Sequence, residues 1–129
     1  MVTALANNQV AIANLAHSTL GIAIQNAGLD DLRIVSDEFQ DGVPGYYSQE
    51  FMVLKDSPVH KVEDLKGKVL ATNAEGSAVD VAMKAMLHKH GLEPNRDYTV
   101  VEAPFPAMRA MLAEHKVDLI PAVLPFSYD

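Results

Sequence analysis

The sequence contains no cysteine. That absence excludes disulfide staples, thiolate metal sites and a cysteine nucleophile together. It leaves the compartment open, because a chain without cysteine suits the cytoplasm or the periplasm. Basic residues are also scarce, ten against seventeen acidic ones, for a formal charge of −7. A nucleic-acid binder needs a basic face to replace counterions on phosphates, so this balance argues against nucleic acid as a partner. Small ligands remain open, because one pocket can differ in sign from the surface as a whole. The scarcity is sharpest at the start, where no Lys or Arg precedes Arg33. The opening stretch therefore lacks the basic n-region of a secretory signal. Long hydrophobic runs are missing too. The most apolar stretch, Val10 to Ile24, is interrupted by Asn14, His17, Ser18 and Thr19, and it is too short and polar to span a bilayer.

What is present is an ordinary globular balance, with 49% apolar and 21% charged residues in 129. That length suits one domain or parts of two small lobes. Thr3 to Asn8 reads as the last turns of a helix, and Val10 to Ala13 as a short buried strand. A helix from about Ser18 to Asn26 stops at Gly28. Arg33 to Ser36 and Phe51 to Leu54 are further strand candidates, with a turn cluster over Asp41 to Gly45 between them. The second half alternates more clearly. A helical turn over Val62 to Leu65 closes at Gly67, and Lys68 to Thr72 is a buried strand. Val79, Ala82, Met83, Met86 and Leu87 form the i, i+3, i+4, i+7, i+8 stripe of a helix from about Ser77 to His90, stopped by Gly91. Tyr98 to Glu102 is strand-like, Pro106 can open a helix, and Val117 to Ile120 forms a last strand. Strands alternating with helices predict an α/β fold with mainly parallel strands. A faint echo supports two similar lobes: Leu5-Ala, three residues, then Val10 to Ala13 has the layout of Leu112-Ala, three residues, then Val117 to Ile120.

Several short stretches carry candidate chemistry. In Asn73-Ala-Glu-Gly-Ser-Ala-Val-Asp80, Ser77 and Asp80 form a capping-box-like pair that explains both without a ligand. The same turn, Gly76, Ser77 and Ala78, offers exposed amides and the positive end of a helix to an anion. It also sits outside the carboxyl end of a strand, where α/β sheets place ligands. Glu75 and Asp80 would compete with such an anion. In the first half, His17, Ser18 and Thr19 can cap a helix or donate to an anionic oxygen. Tyr46, beside Tyr47, reads either as cover for a sheet edge or as a pocket rim. Phe105, between two prolines, and the Leu124-Pro-Phe126 loop follow the next two strands on the same side. No ligand-spaced histidine or acidic pair predicts a metal site. No Gly-x-Ser-x-Gly, Walker or dinucleotide motif appears, so no catalytic residue and no cofactor are expected. The methionines at 83, 86, 108 and 111 fall at helical spacing and read as core.

The order of motifs resembles a known family. Asp64-Leu-Lys-Gly-Lys68 before a strand, Gly76-Ser77 at a helix start, Gly91-Leu-Glu-Pro94 after that helix and Ala113-Glu-His-Lys-Val-Asp118 before the last strand carry the likeness. Together they resemble the periplasmic solute-binding proteins of ABC importers, in the nitrate/sulfonate/taurine (NitT/TauT, type-2) branch. The resemblance implies a central piece of such a protein, with residues 1–56 as the later part of lobe one and 57–129 as the first part of lobe two. The crossover is then expected near Lys55 to His60, where Pro58 suits an extended connector. It further implies a small anion such as a sulfonate, taurine or nitrate as ligand, an ABC permease as partner and a periplasmic location. His17, Ser18 and Thr19 in one lobe, with Gly76, Ser77, Ala78, Tyr46 and Phe105, are the implied ligand-binding residues. An enzymatic alternative follows from the similar pyrimidine-precursor synthases of thiamine biosynthesis, but their cysteine-rich motif has no counterpart here. Half-lobes with open sheet edges also predict self-association, by domain swapping or sheet pairing.

Overall fold

The computed structural model describes residues 1–36, 44–45 and 47–123. Contacts divide the chain into two units, Met1–Glu38 and Phe39–Asp129, and each is described by itself.

The first unit holds two helices. α1 is Val2–Ala6 and α2 is His17–Ala27. Gly28 ends α2 in the left-handed region at φ 65°, a conformation that costs glycine little and a Cβ-bearing residue more. Ala23 is the buried hydrophobic residue of this unit among the described residues. The strands expected at Val10 to Ala13 and Arg33 to Ser36 are absent, and both stretches are irregular. Ile12, Ile34 and Val35 are 75%, 62% and 77% exposed. The apolar β pattern is there, but a strand exists only when a neighbour completes its ladder, and none does so among the described residues. The echo between the two halves therefore fails at its strand.

The second unit is the α/β part. β1 (Gln49–Met52) precedes a 3₁₀ turn at Val62–Leu65, and β2 (Val69–Thr72), α3 (Ala78–Lys89), β3 (Thr99–Glu102), α4 (Phe105–Ala113) and β4 (Ile120–Val123) follow. β2 and β3 pair in parallel, Val69 opposite Thr99 and Thr72 opposite Glu102. β4 begins three residues later than the sequence pattern predicts. The reason lies in its two neighbours. Residues 118 and 119 run parallel beside β2, where Asp118 N–H donates to Val69 O at 2.7 Å and Ala71 N–H to Leu119 O at 2.9 Å. Beyond them the chain pairs antiparallel with β1, Met52 opposite Ile120 and Gln49 opposite Val123. The parallel expectation thus holds for β2 and β3, while β1 is antiparallel.

Strand alternation sends side chains to two cores. Leu70 and Tyr98 pack with Met83, Leu87 and Leu92 on the α3 side. Ala71, Ala103 and Ile120 pack with Met108 and Leu112 on the α4 side. The methionines serve as core, with Met83 and Met108 fully buried and Met86 and Met111 packed at the margins. Asp97 locks the loop before β3, accepting from Arg96 Nη2 at 2.6 Å and from the Glu93 N–H at 3.0 Å. These contacts hold the entry to β3, and the candidate site is built at the opposite, carboxyl edge of β2 and β3.

Candidate functional site

β2 ends at Thr72, and the chain turns through Asn73 to Gly76 into α3. Gly76 has φ 74°, a backbone state that favours glycine. Ser77 is the N-cap, its Oγ accepting from the Asp80 N–H at 3.2 Å and donating to Asn73 Oδ1 at 2.8 Å. Asp80 answers by accepting from the Gly76 N–H at 2.9 Å. The capping reading of this turn is therefore correct, with the return bond landing one residue before the cap.

The electrostatics of the turn are crowded. Asp80 is 1% exposed, and its Oδ2 also accepts from Lys84 Nζ at 2.8 Å. Lys84 reaches Glu75 as well, at 3.5 Å. The hydrogen bond to Asp80 raises the Lys84 pKa above its ordinary value despite partial burial. Glu102, at the end of β3, accepts from the Glu75 N–H at 2.6 Å. Three carboxylates and one ammonium thus surround a helix N-terminus. Among the described residues, Thr72 Oγ1 and Asp80 Oδ1 are buried without a hydrogen-bond partner.

α2 starts differently. Its N-cap is Ala16, no side chain caps it, and no acidic residue lies in its first turn. His17 is exposed, and Ser18 and Thr19 are half-buried. The expectation that Ser18 or Thr19 caps the helix is corrected: the helix begins one residue earlier, which puts both inside the first turn. Ser18 Oγ is instead buried and has no hydrogen-bond partner among the described residues. Phe105 opens α4 and packs with the core on the α4 side. It lines a groove of about 240 Å³ with Met108, Arg109, Ile120 and Pro121. Phe105 and Ser77 follow β3 and β2 at the same carboxyl edge, over opposite faces of the sheet. Tyr46 and the Leu124-Pro-Phe126 loop lie outside the described residues. No group of three His, Cys, Asp or Glu suited to a metal occurs among the described residues.

Glu102 and Thr72 are the site residues that sequence reasoning missed. Glu102 was read as a strand residue, and only the parallel register brings it to an amide 27 positions earlier. Thr72 gave a strand-end signal without any sign that its hydroxyl would lack a partner.

A family described as NMT1/THI5 like matches residues 46–125. The chain belongs to the NMT1/THI5-like family. Comparison with curated proteins gave no match. Among solved structures, it is similar to the periplasmic aliphatic sulphonate binding protein SsuA from Escherichia coli, with 24% identity and a TM-score of 0.55 over 62% of this chain and 25% of that one. It is also similar to the alkanesulfonate-binding protein SsuA from Xanthomonas axonopodis pv. citri bound to MOPS, with 30% identity and a TM-score of 0.56 over 62% of this chain and 27% of that one. The NMT1/THI5-like chain therefore matches about a quarter of the length of each of these proteins. The fold is of the type-2 periplasmic-binding-protein class, as the resemblance implied, present as a small mixed α/β fragment.

Proposed function

We propose that this chain provides ligand-binding elements of a solute-binding component of an ABC importer, and that its ligand is a small anion such as a sulfonate, taurine or nitrate. Family membership and the two sulfonate-binding relatives support the class. The observation that carries the chemistry is the start of α2, an eleven-residue helix with no side-chain cap and no acidic residue in its first turn. Its free amides and dipole favour negative charge. The buried, unpartnered Ser18 hydroxyl is a donor waiting for an acceptor beside them. On this reading His17, Ser18 and Thr19 are anion contacts offered by the first unit, and Gly76, Ser77 and Ala78 are anion contacts offered by the second, each taken by itself. Tyr46 and Phe105 are apolar contacts for the ligand's carbon chain. The permease of the importer is then the partner and the periplasm the compartment.

Isothermal calorimetry and thermal-shift assays with propane-1-sulfonate, taurine, MOPS, nitrate and acetate test this. Sulfonates are expected to stabilise the protein by about 2–3 kcal/mol at a hundredfold excess over Kd. Absence of heat and of any shift across the panel would reject the reading. A second property has its own support. The exposed Ile12, Ile34 and Val35 of the first unit are apolar surface of the kind buried on association, which favours self-association of this chain, by swapping or strand pairing. Light scattering at micromolar concentration decides it, and a monomeric mass contradicts it.

A further inference from the structure

The turn before α3 differs from the start of α2 in what already fills it. At the start of α3 three successive amides have internal acceptors. The Glu75 N–H donates to Glu102 Oε1 at 2.6 Å, the Gly76 N–H to Asp80 Oδ2 at 2.9 Å and the Ser77 N–H to Ala74 O at 3.2 Å. Two of these acceptors are carboxylates, the same kind of group that a bound anion would present. They differ in how firmly they are held. Asp80 is buried and tied to Lys84, so its departure would break the cap and strand a lysine. Glu102 is exposed and comes from another strand, so its side chain can swing into solvent without disturbing the core.

We infer that Glu102 is a built-in competitor for this turn, a specificity-determining residue that holds the Glu75 amide until an external anion displaces it. The inference rests on the anion-binding reading above and deepens it. A second observation points to a ligand at the same place. Thr72 pairs with Glu102 in register and, by alternation from Leu70 in the α3-side core, its side chain faces α3. Thr72 is fully buried, yet its hydroxyl, a group able to donate to an anion, has no hydrogen-bond partner among the described residues. Buried polar groups are normally satisfied, so the floor of this turn has hydrogen-bonding capacity that the protein itself does not use. The consequence is selectivity. A plain anion must expel a carboxylate and then sit near it. An anion that also carries a cationic group a few atoms away gains a partner in the displaced Glu102. This turn therefore favours zwitterionic over simple sulfonates.

The test titrates the full chain and its Glu102→Gln and Glu102→Ala variants with propane-1-sulfonate and with taurine, beside Glu114→Gln as a control that changes net charge equally at a distant exposed acid. The Glu102 variants are expected to bind propane-1-sulfonate about tenfold more tightly, the scale of losing one charge-assisted competitor, with the preference for taurine reduced. Glu114→Gln is expected to bind like the parent chain. In amide NMR spectra the Glu75 N–H is expected well downfield in the parent and upfield in Glu102→Ala. Equal or weaker propane-1-sulfonate binding by the Glu102 variants, when the parent binds, overturns the inference and leaves the proposed function standing. An unmoved Glu75 amide overturns it too. Failure of every variant to bind either sulfonate rejects the proposed function, and the inference falls with it.

Discussion

A single oxygen of Asp80 joins two parts of the α3 turn, accepting from Lys84 Nζ at 2.8 Å and from the Gly76 N–H at 2.9 Å. The carboxylate is buried and the ammonium is about one-third exposed. A buried charge is tolerable only while its partners remain. The cap, the left-handed glycine and the i, i+4 lysine therefore stand or fall together, and the polar edge of the sheet depends on them.

Replacing Lys84 exposes this dependence. Lys84→Met leaves the Asp80 charge without its cation and is expected to destabilise the fold by about 2–3 kcal/mol, below the range for a fully buried pair because Lys84 is partly solvated. Adding Asp80→Asn should recover part of the loss. Urea denaturation of the single and double variants measures both, and a neutral Lys84→Met contradicts the argument.

The two serines at helix starts should respond in opposite ways. Ser77→Ala removes the oxygen that accepts from the Asp80 N–H and is expected to cost about 1 kcal/mol. Ser18→Ala removes a hydroxyl with no partner, so it is expected to be neutral or slightly stabilising, because no bond is lost and an unsatisfied group disappears. Thermal melts of the two variants separate these outcomes.

Asp97 sets a pH dependence. The hydrogen bond from Arg96 first, then that from the Glu93 N–H, lower its carboxyl from 3.8 to about 2. A carboxyl lowered by folding stabilises the folded state in its charged form. That contribution is present in full above the ordinary value and is lost as pH falls from about 4 through about 2. Melting temperatures of the parent and Asp97→Asn should differ at neutral pH and converge across that window. A constant difference between pH 5 and pH 2 argues against it.

Leu70 tests the core. It is fully buried on the α3 side in the strand that pairs with β3 and bridges to Leu119. Leu70→Ala is expected to cost about 3 kcal/mol through lost burial and the cavity left behind. A loss under about 1 kcal/mol would mean that the site collapses freely. Chemical denaturation gives the value.

Much of the second unit was legible in the sequence. The stripe from Val79 to Leu87 marked the buried face of α3, although Ala82 lies exposed at the edge of that stripe. Gly91 marked its end with φ 76°, and Ser77 with Asp80 marked its cap. These signals are local, because helix periodicity and capping involve residues within a turn or two of each other. The strands were less legible. Val10 to Ala13 and Arg33 to Ser36 have the composition of strands but no ladder partner among the described residues. Leu119 was expected inside β4, yet it bridges β2 before the strand turns to β1.

The sequence by itself determined the α/β alternation, the helix boundaries of the second unit, the methionine core and membership in the NMT1/THI5-like family. Each follows from side chains near one another along the chain, or from motifs in a fixed order. Only the tertiary structure decided that Glu102 reaches the Glu75 amide, that Thr72 lies buried with an idle hydroxyl, and that β1 runs antiparallel to β4. Those relationships depend on strand register, which is set by hydrogen bonds between segments tens of residues apart. The physics of the turn was written locally; the competitor that occupies it was supplied by a neighbouring strand.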